Sequence, residues 1–163
     1  RFFDLSLGGG SLLDIGVYPL FLCLYLLGRP SSVVASGRLA PSGADEYCHA
    51  VLSFEGGASG VITSELTCNT SCSFEICGSL GRIEIPTYWY KGHRYTLYRT
   101  SGESSLVEFP PVVNGFEYQI REVHRCLDAG LLESPHMPVS FSLMMSQVMD
   151  EIRGQVGVRY PGE

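Results

Sequence analysis

"EYCHAVLSFEGGASGVITSELTC", Glu46 to Cys68, carries the clearest strand pattern in the chain. Two runs of alternating apolar and polar residues, 46–55 and 60–68, flank the four residues "GGAS". Period two is the mark of a pleated strand with distinct faces. So short a link returns the chain beside itself, and the strands are antiparallel, because a parallel crossover needs a dozen residues or more. Along the first run Tyr47, His49, Val51 and Ser53 fall on one face, and Cys48, Ala50, Leu52 and Phe54 on the other. Along the second, Val61, Thr63 and Glu65 oppose Ile62, Ser64 and Leu66. Neither face is strongly charged.

Outward from this hairpin the same period continues. "SVVASGRLA" (32–40) precedes it through the turn "PSGAD". "SFEIC" (73–77), "RIEIP" (82–86), "RYTLYRT" (94–100) and "SSLVEF" (104–109) follow, joined by links rich in glycine and serine. Glu75 and Glu84 are placed to pair with Arg82 across a ladder. Helices lie at both ends. In "GFEYQIREVHRCLDAG" (115–130), Phe116, Ile120, Val123 and Leu127 recur at helical spacing before Gly130 ends the run. "SFSLMMSQVMDEIRGQVG" (140–157) is helical, with Ser140 the expected N-cap. At the other end Ser11 reads as an N-cap, with Asp14 completing a capping-box-like S-x-x-D. The apolar residues 12–27 continue that helix, which is expected to be largely buried. Pro19 predicts a kink near Ile15 or two abutting helical pieces. The order defines an α+β domain: an open, predominantly antiparallel β-sheet with helices on one face, formed by residues 1–163 as one unit.

The totals narrow the function. Among 163 residues, 45% are hydrophobic and 17% charged, the balance of a globular chain. A net charge of −6, with basic residues scattered, excludes a nucleic-acid partner and an anionic membrane surface. The longest apolar run, "LFLCLYLL" at 20–27, falls short of the ~20 residues that cross a bilayer. Six cysteines without a C-x2-C pair read as reduced thiols of a cytoplasmic protein, and the four histidines have no metal-triad spacing. Without an initiating Met or a leader pattern, the chain is expected to be a fragment of a larger protein. A sheet face carrying so few charges suits another subunit, and a homodimer through that face is expected.

The candidate chemistry lies in "GGGSLLDIGVYP", Gly8 to Pro19. A phosphate cradle needs G-x-G-x-x-G between a strand and a helix, or G-x4-G-K-[ST], and neither is present. Asp14 and Tyr18 stand four residues apart and share a helix face. Gly16 between them allows a neighbouring group or ligand close approach. An enzyme that oxidises an alcohol needs a group to take the hydroxyl proton. Tyrosine serves only when cations lower its pKa from about 10. From position alone, Asp14 also reads as a helix cap and Tyr18 as a core tyrosine.

"GGGSLLDIGVYPL", "LLGRPSSV", "ADEYCHAVLSFEGGASGVI", "ICGSLGRIEIP", "GFEYQIREVHRCLDAG" and "IRGQVGVRYP" together resemble, in order, the C-terminal half of the Gfo/Idh/MocA oxidoreductases. Within them the likeness is strongest to the dimeric dihydrodiol dehydrogenase and NADP-dependent D-xylose dehydrogenase branch. The G-G-x-L-L-D-I-G-x-Y segment is the specific part. The resemblance implies that Asp14 and Tyr18 face substrate, with Tyr18 the proton acceptor or relay and Asp14 orienting the substrate. It implies an upstream Rossmann domain that binds NADP or NAD and supplies a catalytic lysine. Trp89 in "IPTYWY" is the implied substrate-binding wall, with Tyr88 and Tyr90 as alternatives. The substrate implied is a cyclic diol or sugar, and the chain alone is expected to be inactive. Some members of the family act as regulators, which leaves a non-catalytic interaction domain as the alternative.

Overall fold

The structure, a computed structural model, describes residues 1–163. The chain divides into two compact units: Arg1–Asn69 with Pro138–Glu163, and Thr70–Met137. Every strand pairing within them is antiparallel, as the short links require, and the strands form two sheets, one in each unit.

In the first unit β1 (Ser32–Leu39), β2 (Asp45–Ser53) and β3 (Ser59–Glu65) pair in chain order. Their register sorts the side chains. Val33, Leu52 and Gly60 share one inner row and Ala35, Ala50 and Ile62 the next; Gly37, Cys48 and Ser64 complete that face. The opposite face carries Val34, Val51 and Val61 in register, flanked by Ser32, Ser53 and Ser59 and by Ser36, His49 and Thr63. All three valines of that outer row are exposed.

The inner face is covered by helices. A π-helical turn, Leu12–Gly16, runs directly into α1 (Val17–Leu27), so the expected two abutting pieces are present. Pro19 has no amide to offer Ile15, and the helix widens just before it. Leu12, Leu20, Cys23 and Leu24 are buried, each large side chain contributing roughly 1.5–3 kcal/mol. The helix is not buried all round, however: Tyr18, Tyr25, Leu26 and Leu27 are exposed. Between Leu5 and Leu27 an 18-residue window has mean hydropathy 1.7, enough by length and composition to cross a bilayer. The eight-residue run alone had not reached that length. Here its inner side packs on β3 and on α3 (Val139–Val156).

α3 starts one residue before Ser140, with Pro138 at its N-cap position. Its Val148 and Ile152 are buried. Gln155 bonds the edge of β1, donating to the Val33 carbonyl at 2.9 Å and accepting from the Ala35 amide at 2.8 Å. One side chain thereby satisfies two backbone groups that an edge strand leaves open.

In the second unit β4 (Phe74–Gly78), β5 (Gly81–Ile85), β6 (Arg94–Arg99) and β7 (Ser104–Glu108) form a meander, followed by α2 (Phe116–Asp128). Arg82 reaches both Glu75 and Glu84 at 2.9 Å, the ladder pairing its spacing predicts. α2 leaves its apolar stripe uncovered in this chain. Phe116, Ile120, Val123 and Leu127 form the anticipated stripe, but all four are exposed. The buried residue is Cys126, beside Glu122, which accepts from Ser134 at 2.5 Å and is ion-paired to Arg125 at 2.8 Å.

Candidate active site

The glycine triplet leads into the π turn, and its backbone is enclosed by its own chain. A side chain at Gly9 would meet the carbonyls of Arg1 and Phe2 within 2.8 Å. At Gly10, where φ is +133°, a Cβ would lie 2.1 Å from Asp45 Oδ1. The amides of Gly8, Gly9 and Gly10 donate to the carbonyls of Leu5, Asp4 and Phe2 at 3.1, 2.9 and 2.8 Å, so these glycines are no phosphate cradle. They allow a tight entry into the helix.

That helix is capped from another strand. Asp45, at the start of β2 and 1% exposed, accepts from Ser11 Oγ and from the Leu12 amide through Oδ2, both at 2.7 Å. Ser11 is therefore not an N-cap through its own side chain, and Asp14 does not close a capping box. Ser11 Oγ also lies 2.9 Å from Ser64 Oγ on β3. Tyr160, near the C-terminus, donates its hydroxyl to the Gly9 carbonyl at 3.0 Å. Burial raises the Tyr160 hydroxyl above its ordinary pKa, and the Asp45 charge adds to this. The Cys48 thiol, buried and near the same carboxylate, is pushed up to about 12 and stays protonated.

Asp14 and Tyr18 stand on this anchored segment. Asp14, its side chain 29% exposed, accepts from the Arg1 guanidinium at 3.0 Å. The pair borders a small cavity of about 100 Å³ lined also by Phe2, Gly8, Gly9 and Leu13. Tyr18 is 54% exposed, one residue past the first residue of α1, and so is not a core tyrosine. Gly16 is buried, and the close approach it allows is to Ser64, whose Oγ would lie 3.1 Å from an added Cβ.

Trp89 belongs to the second unit. It opens a 3-10 turn, Trp89–Lys91, between β5 and β6, with its ring 5.3 Å from that of Phe74. Tyr88 adopts φ +62°, a conformation that costs a non-glycine residue energy. Tyr88 and Lys91 line a cavity of about 670 Å³ with Thr87, His93, Arg94 and Glu108. Tyr88, the neighbouring aromatic, thus fronts that space, while Trp89 packs on Phe74.

Sequence reading did not find Asp45, Ser64 or Tyr160. Asp45 read as a turn residue, and nothing local in "PSGAD" signals a buried carboxylate. Nothing in the spacing of Arg1 and Asp14 signals their ion pair.

The profile described as the GFO/IDH/MocA C-terminal domain matches residues 1–84, and the chain belongs to that family. It is 34% identical over 171 residues to the trans-1,2-dihydrobenzene-1,2-diol dehydrogenase of Xenopus tropicalis, covering 99% of this chain and 51% of that protein. The Mus musculus enzyme of the same name is 30% identical, over 97% of this chain and 49% of its own length. The chain therefore spans about half the length of these relatives. Among solved structures, the aldose-aldose oxidoreductase from Caulobacter crescentus complexed with glycerol superposes with a TM-score of 0.78 at 26% identity, over 92% of this chain and 46% of that one. KijD10, a 3-ketoreductase from Actinomadura kijaniata in complex with TDP-benzene and NADP, shares the fold, with a TM-score of 0.76 at 23% identity over 91% and 48% of the two chains.

Proposed function

We propose that this chain is the substrate and dimerisation domain of a cytoplasmic NAD(P)-dependent dehydrogenase that oxidises a secondary alcohol of a cyclic trans-diol or a sugar. The carrying observation is the anchored segment Leu12–Leu27, which presents Asp14 from the π turn and a half-exposed Tyr18 from the α-helix that abuts it. The alignment with dihydrodiol dehydrogenases over nearly the whole chain supports the substrate class.

In this reading Tyr18 accepts or relays the proton of the substrate hydroxyl, and Asp14 accepts a hydrogen bond from a substrate hydroxyl and orients it. Gly16 serves the pair by letting the helix lie against β3. An aromatic of the Tyr88–Tyr90 segment, Trp89 foremost, supplies an apolar wall. A Rossmann domain outside the chain holds the NADP or NAD together with the lysine that tunes the tyrosine. The outer face of β1–β3, with its exposed valine row, serves as the dimer interface.

Tyr18→Phe in the full-length protein tests the reading. A proton-handling tyrosine loses turnover by roughly 10²-fold or more with the melting temperature kept. Retained turnover leaves the chain as a non-catalytic interaction domain. The isolated chain is expected to show no turnover with NADP and a dihydrodiol.

A further inference from the structure

We propose that Asp45 is a positioning residue: it fixes, through Leu12, the π turn that sets the angle between Asp14 and Tyr18. The inference rests on the reading of those two residues as substrate-facing.

The strand delivers Asp45 by a bulge. The register of β1 with β2 passes from Arg38 opposite Tyr47 to Leu39 opposite Asp45, leaving Glu46 without a facing partner. Strict alternation would put Asp45 on the outer face with Tyr47. The extra residue turns it inward, the re-aiming a bulge produces. Glu46 takes the outward place and is ion-paired to Arg38.

Inside, one oxygen holds the helix and the other is left over. Oδ2 accepts from both Ser11 Oγ and the Leu12 amide. Oδ1 is fully buried without a hydrogen-bond partner, and Gly10 packs over it. The acid sits at the positive end of the helical segment, where its oxygen accepts from the first amide.

Leu12 passes the constraint on. Its amide is bound by Asp45, and its carbonyl accepts from the Val17 amide, closing the π turn one residue before Tyr18. Two consecutive hydrogen bonds therefore run from the strand to the residue beside Tyr18, with Asp14 in between. A π turn has competing α-helical pairings. Releasing the Leu12 amide allows the turn to shift among them, which rotates Tyr18 relative to Asp14.

The test uses the full-length protein carrying Asp45→Ala, Asp45→Asn or Tyr18→Phe. Amide hydrogen exchange is followed over residues 12–18, and kcat and KM are measured with NADP and benzene trans-dihydrodiol well below each melting temperature. Expected for Asp45→Ala is exchange over 12–18 at least tenfold faster, unchanged exchange in β1–β3, and kcat at least tenfold lower with KM within threefold. Asp45→Asn, whose amide oxygen still accepts from Leu12, restores most of both.

Unchanged local exchange in Asp45→Ala overturns the proposal. So does acceleration spread evenly over β1–β3, which marks a merely structural role. So does faster local exchange with full kcat where Tyr18→Phe abolishes turnover. Should Asp45→Ala not melt cooperatively, Asp45→Asn carries the test: a few-fold faster exchange at Leu12 with kcat falling in step supports the proposal, and wild-type exchange overturns it. Full turnover in Tyr18→Phe refutes the Tyr18 reading instead, and the exchange measurements still decide whether Asp45 holds the turn.

Discussion

Tyr160 donates its hydroxyl to the carbonyl of Gly9 at 3.0 Å, joining the last residues of the chain to the loop that enters the candidate catalytic helix. The hydroxyl is partly buried, and burial raises its pKa. A raised folded-state pKa means that the neutral form is favoured in the native state. The associated stability is present below the ordinary pKa of about 10 and is lost as pH rises through the higher native value. Stability measured by urea unfolding is expected to fall above pH 10, and Tyr160→Phe to flatten that fall. At neutral pH the same substitution costs about 1 kcal/mol.

Glu117 gives the opposite dependence. Its carboxylate accepts from the amides of Val113, Asn114 and Gly115 at 2.9, 3.2 and 2.7 Å, ahead of α2. These bonds, that from Val113 foremost, lower its pKa to about 2. A depressed pKa contributes stability above the ordinary value that is lost as pH falls through the native one. Helicity and amide protection of α2 are expected to fall as pH is lowered from about 5 toward 2. Glu117→Gln removes that dependence, which proton-detected titration of the Gly115 amide reads directly.

Gly10 and Gly16 are both close-packed, yet they differ in what they meet. A Cβ at Gly10 would lie 2.1 Å from a buried carboxylate oxygen, on backbone at φ +133°. Neither partner has room to move, and Gly10→Ala is expected to cost roughly 3 kcal/mol or more. At Gly16 the nearest atoms are Leu12 Cδ1 at 3.0 Å and Ser64 Oγ at 3.1 Å, side-chain atoms that can shift. Gly16→Ala is expected to cost about 1–3 kcal/mol. Denaturant midpoints at constant slope separate the two.

Val51 occupies the centre of the outer valine row, between Val34 and Val61. If that row is the dimer interface, Val51→Glu places a charge in a desolvated patch and shifts sedimentation from dimer to monomer. Because the position is exposed in this chain, the melting temperature of the monomer is expected to change little. An unchanged sedimentation coefficient removes the sheet face from consideration as the interface.

Asp14 tests the orienting role separately. Asp14→Asn keeps the shape and loses the charge facing Arg1 at 3.0 Å. A residue that orients substrate loses roughly tenfold or more in kcat/KM, while an exposed ion pair alone changes stability by under ~1 kcal/mol.

Local structure was legible in the residues. Period-two alternation located seven strands, and the short links made every pairing antiparallel; Pro19 announced the broken start of the first helix. These signals are local, because pleat, turn length and a missing amide act within a few residues. The specific G-G-x-L-L-D-I-G-x-Y segment carried the family and drew Asp14 and Tyr18 together on one helix. Tertiary structure decided what the pattern could not encode. The antiparallel strands fall into two sheets because β3 and β4, though consecutive, do not pair, and a repeating period does not say where pairing stops. The spacing of Phe116, Ile120, Val123 and Leu127 marks an apolar stripe on α2, yet periodicity says only that a face exists, and all four are exposed while Cys126 is buried. Ser11 looked like a cap, but the acceptor at that helix start is Asp45, 33 residues beyond Leu12. A bulge that turns one carboxylate inward leaves no mark in the residues beside it; only the folded chain brings Asp45 to the amide it binds.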